Sequence, residues 1–177
     1  MRKLLETYQN YEPSQKCYLD TKYIKRVFPG IPRLVVSVDR QHIDLQAGSD
    51  VRTRSLLSRG LVHLRIEIEG SFHCNLLLLE DDKAYRFEPL SDEHLPAELN
   101  DLINEILTEY LDKLGVELFI FDAHPQQTCS NKGLCVAYMI KAGVIATLHP
   151  EANISAKFGL DAEEDIKRFA TAVEALY

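Results

Sequence analysis

The chain has no tryptophan, only four cysteines among 177 residues, and no apolar run long enough for a membrane span. Each scarcity excludes something. Cys17, Cys74, Cys129 and Cys135 are too few and too widely spaced for a disulfide-dense secreted scaffold, and no N-terminal apolar stretch precedes a cleavage site. The expected setting is therefore a reducing compartment, the cytoplasm. The longest apolar stretches, around Leu76 to Leu79 and Val136 to Ile145, fall far short of the roughly 20 residues that cross a bilayer, so no membrane partner is expected. Eight glycines and seven prolines exclude a collagen-like or linker chain. What remains is 46% hydrophobic and 27% charged, enough apolar material for one packed core, and a single domain over 1–177 is the expectation.

Positive charge is also short overall. The net charge of -7 argues against nucleic acid as the main partner, but the sum hides an asymmetry. Residues 1–60 carry 11 Lys and Arg against 6 Asp and Glu, whereas 61–177 carry 9 against 21. Such a split marks either a basic docking face or an unevenly charged solvated surface.

No repeat or low-complexity tract interrupts the chain. Arg2 to Tyr8 reads as a short helix, and Asp20 caps a second one ending near Val27, before the turn at Pro29 and Gly30. The period then changes. Arg33 to Val38, His42 to Leu45 and Leu61 to Glu69 read as strands, the last with Val62, Leu64, Ile66 and Ile68 alternating against a wet face of His63, Arg65, Glu67 and Glu69. Phe72 to Leu79 lacks alternation over its four leucines, as expected of a central strand covered on both sides. Asp81 and Asp82 supply turn chemistry, and Lys83 to Glu88 is the partner strand. An amphipathic helix is expected from a cap at Ser91 or Asp92 to about Leu114, stopped by Gly115. A strand over Val116 to Phe121, a polar loop to Lys132, a helix from Gly133 to about Thr147 and a last helix from Asp161 to Leu176 follow. The layout is α+β, a mostly antiparallel sheet flanked by helices.

Candidate chemistry lies in the hairpin and beyond the long helix. A turn centred near Asp81 pairs positions whose numbers sum to 161 or 163, and the first register sets His73 opposite Glu88. Residues so placed share a face, and a carboxylate there holds an imidazole in one tautomer and stabilises its charged form. That makes a base and its orienter. Cys135, two residues after Gly133, opens an apolar helix, where the N-terminal dipole and a nearby imidazolium favour the thiolate. Each residue alone also has a plain structural reading: a small core thiol, a hydrogen-bonded histidine, a solvated strand-end glutamate. Cys129 is a rival nucleophile, and Asp122 is an alternative orienter. His124, Cys129 and Cys135 have no spacing that fits a common zinc site, so no metal or other cofactor is expected.

His73, Asn75, the four leucines and then Arg86, Phe87, Glu88 and Pro89 resemble the His-strand and acidic strand end of the adenovirus-proteinase-like and SUMO-protease-like cysteine peptidases. The order His, acid, Gln, Cys, with Pro125, Gln126 and Gln127 ahead of Cys135, is similar as well. Closest are the versions found in large DNA viruses, which share the His-x-Asn-Leu-Leu and Arg-Phe-Glu-Pro strings and the helix start seen here from Gly133 to Tyr138. The resemblance spans about 61–148, leaving 1–60 as a basic region without a match and 149–177 as a C-terminal helix. It implies a permuted papain-like fold and a thiol protease in which Cys135 attacks, His73 transfers the proton, Glu88 orients His73 and Gln127 donates to the oxyanion. Gln126 shares that last candidacy, because the segment from Gln127 to Cys135 is longer than in the SUMO-protease branch. Cys74 stands where that branch has a tryptophan lid. The implied partner is a protein substrate, a ubiquitin-like conjugate or a viral precursor, with the host cytoplasm or virion as the location if the protein is viral. A non-catalytic virion or binding protein on the same fold, and an acyltransferase with the same triad, are the competing expectations.

Overall fold

A computed structural model describes residues 1–15, 18–46, 60–89, 95–120, 133–153 and 162–177. Its described elements are α-helices α1 (Arg2–Thr7), α2 (Lys22–Val27), α3 (Ala97–Asp112), α4 (Cys135–Leu148) and α5 (Glu163–Leu176), and strands β1 (Arg33–Ser37), β2 (His42–Gln46), β3 (Gly60–Ile68), β4 (Ser71–Glu80), β5 (Lys83–Phe87) and β6 (Glu117–Ile120). They form two compact units, one built from α1, α2, α4 and α5, the other from the six strands and α3. The stretch expected to carry the chemistry, 61–148, contributes to both.

In the sheet unit the strand order is β2-β1-β3-β4-β5-β6. The fold is α+β, and the sheet is mixed: three pairings are antiparallel, while β1–β3 and β5–β6 are parallel. The β3–β4 turn places Glu69 and Gly70 both at positive φ, the geometry of a tight two-residue hairpin. Leu76 to Leu79 on the central β4 are all buried, as the unbroken apolar run predicts. On β3 the expected wet face is only partly wet. His63 is 2% exposed, because its ring lies against the Cys74 thiol, Nε2 to Sγ 3.4 Å.

The helix expected from Ser91 or Asp92 begins later. Residues 90–94 lie outside the described residues, and α3 opens at Ala97 with Pro96 as its cap. Proline disfavours helical backbone in the residue before it, so Leu95 stays outside the helix. At the other end Gly115, with φ +72°, takes the left-handed conformation that lets the Val116 N–H reach back to the Leu111 carbonyl.

In the helical unit α4 is apolar nearly all round, and 11 of its 14 residues are buried. Lys141 is the exception in composition but not in burial. Its ammonium lies 4.7 Å from the Tyr8 ring centroid and donates to the Tyr8 hydroxyl, and Phe169 of α5 meets Tyr8 edge-on. The cap residue of α2 is Thr21 rather than the expected Asp20, whose carboxylate, one residue earlier, accepts the Lys22 N–H at 2.8 Å, a bond that holds the Asp20 carboxyl below its ordinary pKa. His149 ends α4. Among the described residues, no helix is long and apolar enough to cross a membrane.

Candidate functional site

The hairpin register decides how His73 meets Glu88. Observed pairs run from Leu76↔Phe87 to Glu80↔Lys83, the register that sums to 163, so the direct opposition expected from 161 is corrected. One step beyond the last pair Glu88 comes opposite Asn75, and His73 lies two residues further along the same face. Such diagonal neighbours are within reach of long side chains. The contact survives the change of register: His73 Nε2 and Glu88 Oε1 are 2.6 Å apart, and each side chain is only 12% exposed.

The second carboxylate oxygen is also taken. Arg86 Nη2 donates to Glu88 Oε2 at 2.8 Å, its Nε donates to Asn75 Oδ1 at 2.8 Å, and its Nη1 donates to the side-chain carbonyls of Asn100 and Asn104. The Arg86 guanidinium is fully buried. Burial lowers its pKa and the Glu88 carboxylate opposes that shift, but an arginine in a protein stays protonated. Beside a permanent cation Glu88 is ionised, and an ionised carboxylate only accepts hydrogen bonds. Nε2 of His73 therefore carries the shared proton, and in the neutral ring the basic nitrogen is Nδ1.

Cys135 belongs to the helical unit. It is the first residue of α4 and is 7% exposed, preceded by Gly133 at φ +98°, whose carbonyl accepts the Leu19 N–H. A 14-residue helix places roughly half a positive charge at this end, which lowers the pKa of a thiol there. His73 and Glu88 belong to the sheet unit. The geometry thus gives, unit by unit, an oriented imidazole and a thiol at a helix start.

Gln126, Gln127, Cys129, Asp122, His124 and Cys17 all lie outside the described residues. Among the described residues, no group of three or more His, Cys, Asp or Glu side chains could hold a metal ion.

The residues that sequence reasoning missed are Arg86, Asn75, Asn100 and Asn104 as a network. Two signals were available. Arg86 has the same strand parity as Glu88, so both had to point to one face. Asn100 and Asn104 are one helical turn apart, and Asn104 falls between Ile103 and Leu107 on the stripe that α3 buries. Comparison of the chain with protein-family models, with curated proteins and with solved structures gives no match.

Proposed function

We propose that the protein is a cysteine peptidase on a permuted papain-like fold, cleaving a protein substrate such as a ubiquitin-like conjugate or a viral precursor. The observation that carries this reading is the part-buried His73–Glu88 pair at 2.6 Å, anchored from behind by Arg86. A solvated strand-end glutamate or a structural core histidine needs no such orientation. The reading requires the Cys135 thiol to come within hydrogen-bonding reach of His73 Nδ1 in the working protein.

In that reading the Cys135 thiolate attacks the scissile carbonyl carbon, forming a C–S bond, and the oxyanion takes a hydrogen bond from Gln127 or Gln126. His73 gives its Nδ1 proton to the leaving amine as the C–N bond breaks. Water then attacks the thioester while His73 takes up its proton, releasing the carboxylate and the thiol. Glu88 accepts from Nε2–H throughout.

Alkylation of the full-length protein tests the proposal. Cys135 should be labelled selectively, with the adduct mapped by mass spectrometry, and its rate should persist down to pH about 6 because an activated thiolate survives there. His73→Ala should bring the rate down to that of an ordinary thiol. Native labelling no faster than that of an ordinary thiol would sink the enzyme reading and leave a non-catalytic protein on this fold. An electrophile on a ubiquitin-like C-terminus then tests the substrate class, and transfer to an added amine instead of water would mark an acyltransferase.

A further inference from the structure

We infer that Arg86 is a positioning residue, a buried cation that fixes the Glu88 carboxylate and cancels its charge, so that Glu88 orients the His73 ring without locking it in the imidazolium form. The inference deepens the peptidase reading and rests on it for the use made of His73.

The choice of partners around Arg86 carries the argument. A guanidinium has five N–H donors. Those on Nε and Nη1 meet the carbonyl oxygens of Asn75, Asn100 and Asn104, all uncharged, and one on Nη2 meets Glu88. Among the described residues its charge therefore has one ionic partner, Glu88, and the guanidinium itself is at zero exposure. An aspartate at any of the three positions would divide that charge. The asparagines come from β4 and from successive turns of α3, while Arg86 and Glu88 come from β5 and its continuation. The guanidinium is gripped from three elements, and swinging Glu88 away would break a part-buried, charge-assisted bond.

A packing role alone would not use this chemistry. Carboxylate oxygens in a two-way bridge leave Glu88 no rotation, and His73 inherits that rigidity through the 2.6 Å contact. The electrostatic effect runs the same way. An uncompensated, part-buried carboxylate would hold a proton on the His73–Glu88 pair to higher pH and weaken the ring as a base. With Arg86 in place the pair as a whole gives up that proton more easily.

Nuclear magnetic resonance on the full chain tests this without any substrate. In the native protein the guanidinium nitrogens of Arg86 should shift with the same midpoint as the His73 ring. In Arg86→Met the His73 midpoint should rise by about one pH unit or more, the effect expected when an opposite charge is removed from a part-buried carboxylate. Arg86→Lys, which keeps the charge and loses the fork, should return the midpoint part of the way. Arg86 signals indifferent to His73 in the native protein, or a midpoint unmoved in Arg86→Met, would overturn the inference. If Arg86→Met does not fold, the native measurement decides. Failure of the peptidase reading looks different: Cys135 would react as an ordinary thiol while the Arg86–His73 linkage remained intact.

Discussion

At the scale of single residues, Glu88 has two jobs that different substitutions separate. Removing the side chain in Glu88→Ala leaves a guanidinium in the interior with amide carbonyls alone, and losing one member of a buried ion pair typically costs about 3–5 kcal/mol. The urea midpoint of Glu88→Ala should fall accordingly. Glu88→Gln has a different effect. Its side-chain carbonyl can still accept from Arg86, but its amide then presents N–H to His73, so Nε2 must accept and the ring proton moves to Nδ1. Stability should fall less than in Glu88→Ala, the ring nitrogen signals should report the inverted tautomer, and Cys135 reactivity should fall toward that of an ordinary thiol, because a protonated Nδ1 no longer accepts the thiol proton. Asn75 shows what the network costs elsewhere. Its Nδ2 is buried with no hydrogen-bond partner among the described residues, while its Oδ1 serves Arg86. A neutral donor left unpaired costs roughly 1–3 kcal/mol, and a charge-assisted bond offsets about that much.

At the scale of elements, backbone conformation separates what could be read in advance from what could not. The β3–β4–β5 hairpins were legible because Leu76 to Leu79 and the alternation on β3 each fit one period, and turn residues sit between them. The register was not, because the turn at Asp81 and Asp82 allows two sums and side-chain parity is the same in both. For that reason the His73–Glu88 contact could be anticipated while its diagonal geometry could not. The parallel pairing of β1 with β3 left no local mark, since it depends on where residues distant in sequence return to the sheet. The C-terminal stop of α3 was plain in Gly115, and its conformation yields a clean prediction. A Cβ built there meets nothing within 4 Å, so Gly115→Ala introduces backbone strain without a clash. A left-handed non-glycine residue costs roughly 1–2 kcal/mol. The melting temperature should fall by about 2–8 °C, at about 2–4 °C per kcal/mol for a domain of this size. Substitution at exposed sites inside α3 should cost less.

At the scale of the whole molecule, the N-terminal third has a place that its charge did not suggest. Its 11 basic residues invite a docking role, yet its described parts supply α1 and α2 to one unit and β1 and β2 to the other. The helix bearing Cys135 is surrounded by chain from both ends: α1 and α5 pack together, and α1, α2 and α5 each contact α4. Leu4, fully buried on α1, is therefore a core residue of the thiol-bearing unit. Truncating a buried leucine to alanine removes transfer energy and leaves a cavity, together about 2–5 kcal/mol. Leu4→Ala should lower unfolding stability by that amount. Hydrogen exchange should then show where the loss falls: protection lost in the amides of α4 and α5, with β3, β4 and β5 holding theirs, because each unit closes its own core and opens locally. Loss spread evenly over helices and sheet would instead make the two units one cooperative block, and the α1 substitution would then loosen the His73–Glu88–Arg86 bridge as well as the start of α4.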